Sequence, residues 1–187
     1  MMDQKPTEIL EREHRFIQNV VGTFAVLAEE LEAGREVSPE TLRKIVEFMR
    51  TFSDRCHHGK EETHLFPLLE RKGVPVRGCP LAILIAEHQR SRLLVAELAT
   101  AADTYTKDAG SARKNLLDSL RGLIGLYPNH IWKEDYLLFP MTNKILNADE
   151  QRELWEKFEA VEKAIGLDLH HRFEEFADKL GKEVHGS

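Results

Sequence analysis

Two stretches of this sequence carry the same residue types in the same order. His57-His58-Gly59-Lys60-Glu61-Glu62-Thr63-His64-Leu65-Phe66-Pro67 and His130-Ile131-Trp132-Lys133-Glu134-Asp135-Tyr136-Leu137-Leu138-Phe139-Pro140 align on Leu-Phe-Pro. The alignment pairs His57 with His130, Lys60 with Lys133, Glu61 with Glu134 and Glu62 with Asp135, at a constant offset of 73 (130 − 57, 134 − 61). In each copy a histidine stands four residues before a carboxylate, a spacing that puts both on one helix face about one turn apart. Two such pairs in one small chain point to a site with two metals. His58 and Glu62 share the spacing, but Ile131 occupies the matching place in the second copy, so the repeat selects His57 and Glu61.

Helices are needed to hold these pairs, and prolines and glycines divide the chain into about five helical stretches with no alternating strand pattern. The first begins near Thr7, whose hydroxyl is placed to cap it, and reaches Ala33-Gly34 along the row Leu10, His14, Ile17, Val21, Phe24, Ala28, Leu31. The second opens at Ser38-Pro39-Glu40, a cap followed by proline at the first helical position. Its row runs Leu42, Ile45, Met49, Phe52, Cys56, then shifts by one to His57, Glu61, Leu65, Leu68, and Pro67 is expected to bend its end. Gly73 to Pro80, with Cys79, form a loop. The third helix carries Leu81, Leu84, His88, Val95, Leu98 and Ala102, and Glu87 precedes His88 as Glu13 precedes His14. That interval is 74 (88 − 14), so helix one followed by helix two repeats as helix three followed by helix four.

The fourth helix has the row Leu116, Leu120, Leu123, Tyr127, His130, Glu134, Leu137, Met141, with Pro128 expected to free the Ile124 carbonyl and kink it. From Ala148 to about Lys182 a further helix or pair, broken near Gly166, carries Leu154, Phe158, Val161, Ile165, Leu169, Phe173 and Phe176, and Lys182–Ser187 read as a frayed end.

Four amphipathic helices with short loops predict an antiparallel up-down bundle over about 7–145, extended by a C-terminal helical segment over about 148–182, in one all-α domain spanning 1–187. One layer of that bundle contains His14, His57, Glu61, His88, His130 and Glu134 where apolar residues would suffice for packing. Burying such groups unpartnered costs several kcal/mol each, the carboxylates most. Two metal ions remove the cost by accepting the lone pairs. Four imidazoles and two carboxylates suit two irons, because carboxylates bridge and two histidines per metal leave positions open, whereas zinc prefers a closed tetrahedral set.

The remaining composition sets bounds. At 187 residues, with 31% charged and 42% hydrophobic, the chain has the balance of an ordinary globular domain. A net charge of −6, from 26 basic and 32 acidic residues, argues against nucleic acid or an anionic membrane as partner. The N-terminus lacks the apolar core of a signal peptide, no run is long enough to span a bilayer, and two cysteines make no disulfide framework, so the expected place is a reducing cytoplasm.

The repeated motif and its Leu-Phe-Pro tags resemble the hemerythrin-like (HHE cation-binding) proteins over roughly Thr7 to Ile145. That resemblance implies a non-haem di-iron centre, carboxylate- and oxo-bridged, with ligands His14, His57, Glu61, His88, His130 and Glu134 and with Glu61 and Glu134 as bridges. The oxygen-carrying hemerythrins have a fifth histidine one turn after the third-helix ligand, where this chain has Arg92. Four histidines with two glutamates look more like the di-iron proteins of nitric oxide response and iron-sulfur repair, although those usually add an N-terminal cysteine-bearing domain.

Around these residues, His58 is expected to point about 100° away from the site, to the surface or a supporting role. His64 either approaches the site or faces solvent. Tyr127 reads as core packing, with a hydrogen-bonding role at open coordination positions as the alternative, and Cys56 as a small buried hydrophobe. Glu62 and Asp135 either hold ligand histidines by their second nitrogen or are solvated. His170 and His171 are expected on the surface. The expected function is binding or sensing of a small ligand such as oxygen or nitric oxide, and the alternative is an enzyme that reduces peroxide or nitric oxide or supplies iron for cluster repair.

Overall fold

A computed structural model describes residues 4–77 and 80–185, with side chains to residue 182, so Cys79 and the last two residues lie outside it. It is all helical, with no strand among the described residues. Helix α1 (Pro6–Glu32) starts one residue earlier than expected, with Pro6 at its first position and Lys5 as the cap residue. Thr7 does not cap it: its hydroxyl donates to Asn143 Oδ1 at 3.1 Å, tying the start of α1 to a later helix. Gly34, at φ 76°, then turns the chain away in a conformation that costs glycine little. Helix α2 (Pro39–Phe48) is capped by Ser38, which accepts from the Thr41 amide at 3.3 Å.

The helix that begins at α2 does not stay α-helical. It widens into π-helical turns at Met49–His58 and Glu61–Leu65 before α3 (Phe66–Arg71). Helix α4 (Leu81–Tyr105) follows the loop, and α5 (Ala109–Lys133) passes through the exposed Pro128 without interruption. The departure from α geometry comes later, in a π-helical turn at Glu134–Leu138 ahead of α6 (Phe139–Ile145). The two short π turns share a cause. Pro67 and Pro140 cannot donate, and each ring crowds the carbonyl four residues back, Thr63 and Tyr136, inside the turn that widens.

Each π turn moves the inward row by one residue. Leu69 and Leu138 are fully buried, while Leu68 is only half-buried and Leu137 is 51% exposed. The expected inward places of Leu68 and Leu137 are thereby corrected. The one-residue shift between Cys56 and His57 in the sequence has the same origin.

Two apolar clusters result, with a polar layer between them. Ile9, Leu10, Leu65, Leu69, Leu84, Leu138 and Phe158 belong to the smaller, and Ile17, Phe24, Phe52, Leu94, Leu123 and Ile131 to the larger. Along α1, His14 falls between Leu10 and Ile17, and along α4, His88 falls between Leu84 and Leu94. Helix α4 packs on α5, and α1 on both α5 and α8. Helix α7 (Ala148–Ile165) opens with a reciprocal Asn147–Glu150 capping box, and Gly166, at φ 103°, separates it from α8 (Leu167–His185). Helix α8 runs through most of the segment expected to fray. Leu154, Phe158 and Phe173 are buried as expected, whereas Val161, Ile165, Leu169 and Phe176 are only partly covered. No helix of the described residues is long and apolar enough to cross a membrane.

Candidate metal centre

All six predicted residues enter the polar layer. His14 comes from α1, His57 from the first π-helical turn, Glu61 from the second, His88 from α4, His130 from the end of α5 and Glu134 from the third π turn. His14, His57, Glu61 and Glu134 form one group whose donor atoms lie within 4.8 Å of one another. His88 and His130 form a second such group with a residue placed elsewhere by sequence reasoning, His58. The carboxylates reach across: His14 Nε2 lies 3.1 Å and His130 Nε2 3.3 Å from Glu134 Oε2, and His88 Nε2 lies 3.4 Å from Glu61 Oε2.

His58 is the main correction. It is 1% exposed and its ring stacks on His88 at 3.9 Å between centroids. The 100° separation from His57 assumed α geometry, whereas both residues end a π-helical turn, where i→i+5 bonding widens the helix and brings neighbouring side chains closer in direction. Arg92 does leave the expected fifth-histidine position vacant, and His58 brings a fifth imidazole from a different helix.

The supporting shell is complete on every ring. The Nδ1 atoms of His14, His57, His58, His88 and His130 meet Asp135 (2.6 Å), Glu13 (3.0 Å), Asp54 (3.3 Å), Glu62 (2.7 Å) and Glu87 (3.0 Å). A carboxylate accepting from Nδ1–H fixes the tautomer and leaves the Nε2 lone pair facing inward. Glu62 and Asp135 thus hold histidines rather than water. Phe139 and Phe66, from the two Leu-Phe-Pro tags, lie parallel to His14 and His88 at 5.5 and 5.8 Å.

Most of the inward atoms have no hydrogen-bond partner in the protein. Among the described residues, the buried side-chain nitrogens and oxygens without a hydrogen bond are His58, His88 and His130 Nε2 and both oxygens of Glu61 and of Glu134. Unpaired buried donors and acceptors are costly, and seven at one point are the mark of a cation site. His14 and His57 meet Nε2 to Nε2 at 2.9 Å, which is a contact between two lone pairs unless one ring carries a proton. Without metal, His14 takes that proton: burial opposes it, but the bond to Asp135 and the nearby Glu134 carboxylate outweigh burial and raise the ring to about 9. Burial and then the charge on His14 push His57 down to about 4. Burial and then the neighbouring Glu134 raise the Glu61 carboxyl well above its usual range. Burial works on Glu134 in the same direction, but the neighbouring imidazoles of His130, His14 and His88 hold it well below. Two carboxylates forced apart in this way are what a shared cation would equalise.

Other expectations resolve in part. Cys56 is fully buried, its thiol 3.9 Å from Glu13 Oε1 and pushed up to about 12 by burial and that carboxylate. His64 is half-buried, outside both groups. Tyr127 is buried, its hydroxyl 2.8 Å from both Ser53 Oγ and Ser91 Oγ. His171 is exposed as expected, but His170 is 3% exposed and lies 3.3 Å from Glu13 Oε1. Sequence reasoning missed Glu13 and Glu87 as supports, although their position just before a core histidine in both repeats was the available signal.

The model of the hemerythrin HHE cation-binding domain matches residues 5–142. Uncharacterized proteins of Mycobacterium tuberculosis and Mycobacterium bovis are 27% identical over 168 residues, covering 90% of this chain. The chain spans 62% of the length of these curated relatives. No solved structure matches significantly. A buried layer of histidines and carboxylates on a helical frame, matched from Lys5 through Thr142, places this chain in the hemerythrin HHE cation-binding family.

Proposed function

We propose that the cluster holds two irons and that the chain binds or senses a small ligand there, such as oxygen or nitric oxide. The observation that carries this reading is the set of inward-facing atoms without partners, each imidazole backed by a carboxylate. His58, His88 and His130 would hold one iron, His14 and His57 the other, with Glu61 and Glu134 between them as bridges. Mixed imidazole and carboxylate donors of this number fit iron better than a closed tetrahedral zinc site. The hemerythrin-type arrangement, an antiparallel up-down four-helix bundle with α7 and α8 added to it, belongs to the same reading.

Bound iron supplies open coordination positions and a reversible change of oxidation state. The pair of imidazoles leaves more room for a small ligand than the group of three. Binding is favoured over turnover because Tyr127 and Arg92, two side chains that could move a proton, are otherwise engaged. Tyr127 is tied to Ser53 and Ser91, and burial lifts its hydroxyl to about 12. Arg92 is engaged by Asp54 and Glu62. The net charge of −6 supports a small-molecule ligand rather than nucleic acid or membrane, and a buried free thiol at Cys56 suits a reducing compartment. The test is anaerobic reduction of the iron-loaded protein, then separate exposure to oxygen, nitric oxide and peroxide, followed by absorbance. A stable adduct with oxygen or nitric oxide is expected. Rapid turnover of peroxide or nitric oxide instead would replace this reading with an enzymatic one.

A further inference from the structure

The carboxylates that support His57 and His130 occupy equivalent places in the repeat but have different surroundings. Glu87 lies 21% exposed at the surface, bonded to His130 and to Lys133, itself 27% exposed. Glu13 is fully buried. Its Oε2 accepts from His57 Nδ1 at 3.0 Å, and its Oε1 faces Lys60 Nζ at 2.5 Å, His170 Nε2 at 3.3 Å and Cys56 Sγ at 3.9 Å. Lys60 is also fully buried and gives a second bond, at 2.6 Å, to Glu162 Oε1. Glu162 belongs to α7 and His170 to α8, both beyond the residues that match the family. Phe158 lies under Lys60 at 5.9 Å from its ammonium, and Phe52 flanks the His170 ring at 4.9 Å, so apolar packing fixes both groups.

We infer that α7 and α8 form a clamp on one half of the metal centre, in which Glu162 and His170 lock Glu13 and through it the orientation of His57. Glu162, His170 and Lys60 are positioning residues. A buried lysine between two carboxylates is strongly held only when both partners are present, and losing one leaves a charge without compensation. A carboxylate with four partners cannot rotate away from the imidazole it supports, whereas Glu87 has two partners and is reached by solvent. The half of the site with two imidazoles is therefore the rigid half.

The inference rests on the di-iron reading for its consequence, but the clamp itself is testable without metal. The variants are His170→Leu, which keeps the packing volume and removes the nitrogen, His170→Gln, which retains a donor, and Glu162→Gln. In metal-free protein labelled with nitrogen-15 at histidine, the exchange of the His57 ring N–H is expected to quicken about tenfold in His170→Leu and Glu162→Gln, with His130 unchanged. His170→Gln is expected to restore much of the protection. In iron-loaded protein the same two variants are expected to weaken retention of one iron about tenfold, on the scale of lost outer-shell support. Equal acceleration at His57 and His130 would show general loosening and overturn the clamp, and so would no change at either ring. Ring protons that respond as stated in a protein that takes up no iron would leave the clamp standing and remove the di-iron reading.

Discussion

The two halves of the centre descend from one repeated pattern, and the places where they differ are informative. In both, a Glu-His pair on one helix precedes a His-x-x-Lys-Glu-acid run on the next; the Glu of each pair supports the His of its own run, and the final acid of each run supports the His of the other pair. Asp135 holds His14 as Glu62 holds His88, and Glu13 holds His57 as Glu87 holds His130. A proline-driven π turn begins at Glu61 and at Glu134, and Phe139 and Phe66 from the two Leu-Phe-Pro tags lie along the His14 and His88 rings. The symmetry fails in two ways. His58 adds an imidazole to one half where Ile131 stands in the other, and the C-terminal helices bury the Glu13 support while leaving Glu87 at the surface. A repeated sequence pattern therefore does not require equal surroundings, and the difference makes one half richer in imidazoles and the other more rigid.

The largest effects are expected at Glu61 and His130: Glu61→Ala or His130→Ala abolishes iron binding almost entirely, as read by metal analysis, the first by removing a carboxylate proposed to serve both irons and the second by removing an imidazole of the group of three. The register device is tested next. Leu65→Ala and Leu138→Ala are each expected to cost about 2–4 kcal/mol in denaturant unfolding, as mirror positions in the smaller core, while Leu137→Ala stays within about 0.5 kcal/mol. A cost at Leu137 comparable to that at Leu138 would mean the π turn after Glu134 does not form.

The donor asymmetry is probed by His58→Phe, which keeps a ring against His88 and removes both nitrogens. Iron retention is expected to fall at least about tenfold while the metal-free protein is no less stable, since a buried nitrogen without a partner is lost. The smallest effect is the pH dependence of the metal-free protein. Between pH 6.5 and about 4 the unfolded chain takes up protons that folded His57 and His58 refuse, so stability falls as pH drops. Glu61, with its raised carboxyl, opposes this but is outnumbered. Between pH 6.5 and about 9 folded His14 keeps a proton that the unfolded chain has released, so stability falls as pH rises. Thermal unfolding of the metal-free chain is expected to be latest near pH 6.5, by a few degrees over pH 5 and pH 8.5.

The helices, their core rows and the six repeated residues could be read from the sequence because helical periodicity and the 73-residue echo are local signals. His14 and His88 stood out as polar residues inside otherwise apolar rows. What escaped detection depended on a departure from α geometry or on contacts distant in sequence. At 100° per residue His58 faces outward, yet the one-residue shift in the row at Cys56–His57 marks a wider turn. The same count turns Leu137 inward, where the π turn does not leave it. His170 gave no sign of burial, because its partner Glu13 lies 157 residues away and only the packing of α8 on α1 brings them together.

Iron content decides whether one buried layer holds two irons with unequal donor sets. Metal-free chain is loaded anaerobically with ferrous iron, freed of excess and assayed for iron and protein together. Two irons per chain in the unaltered protein are predicted, and one iron or none would contradict the account.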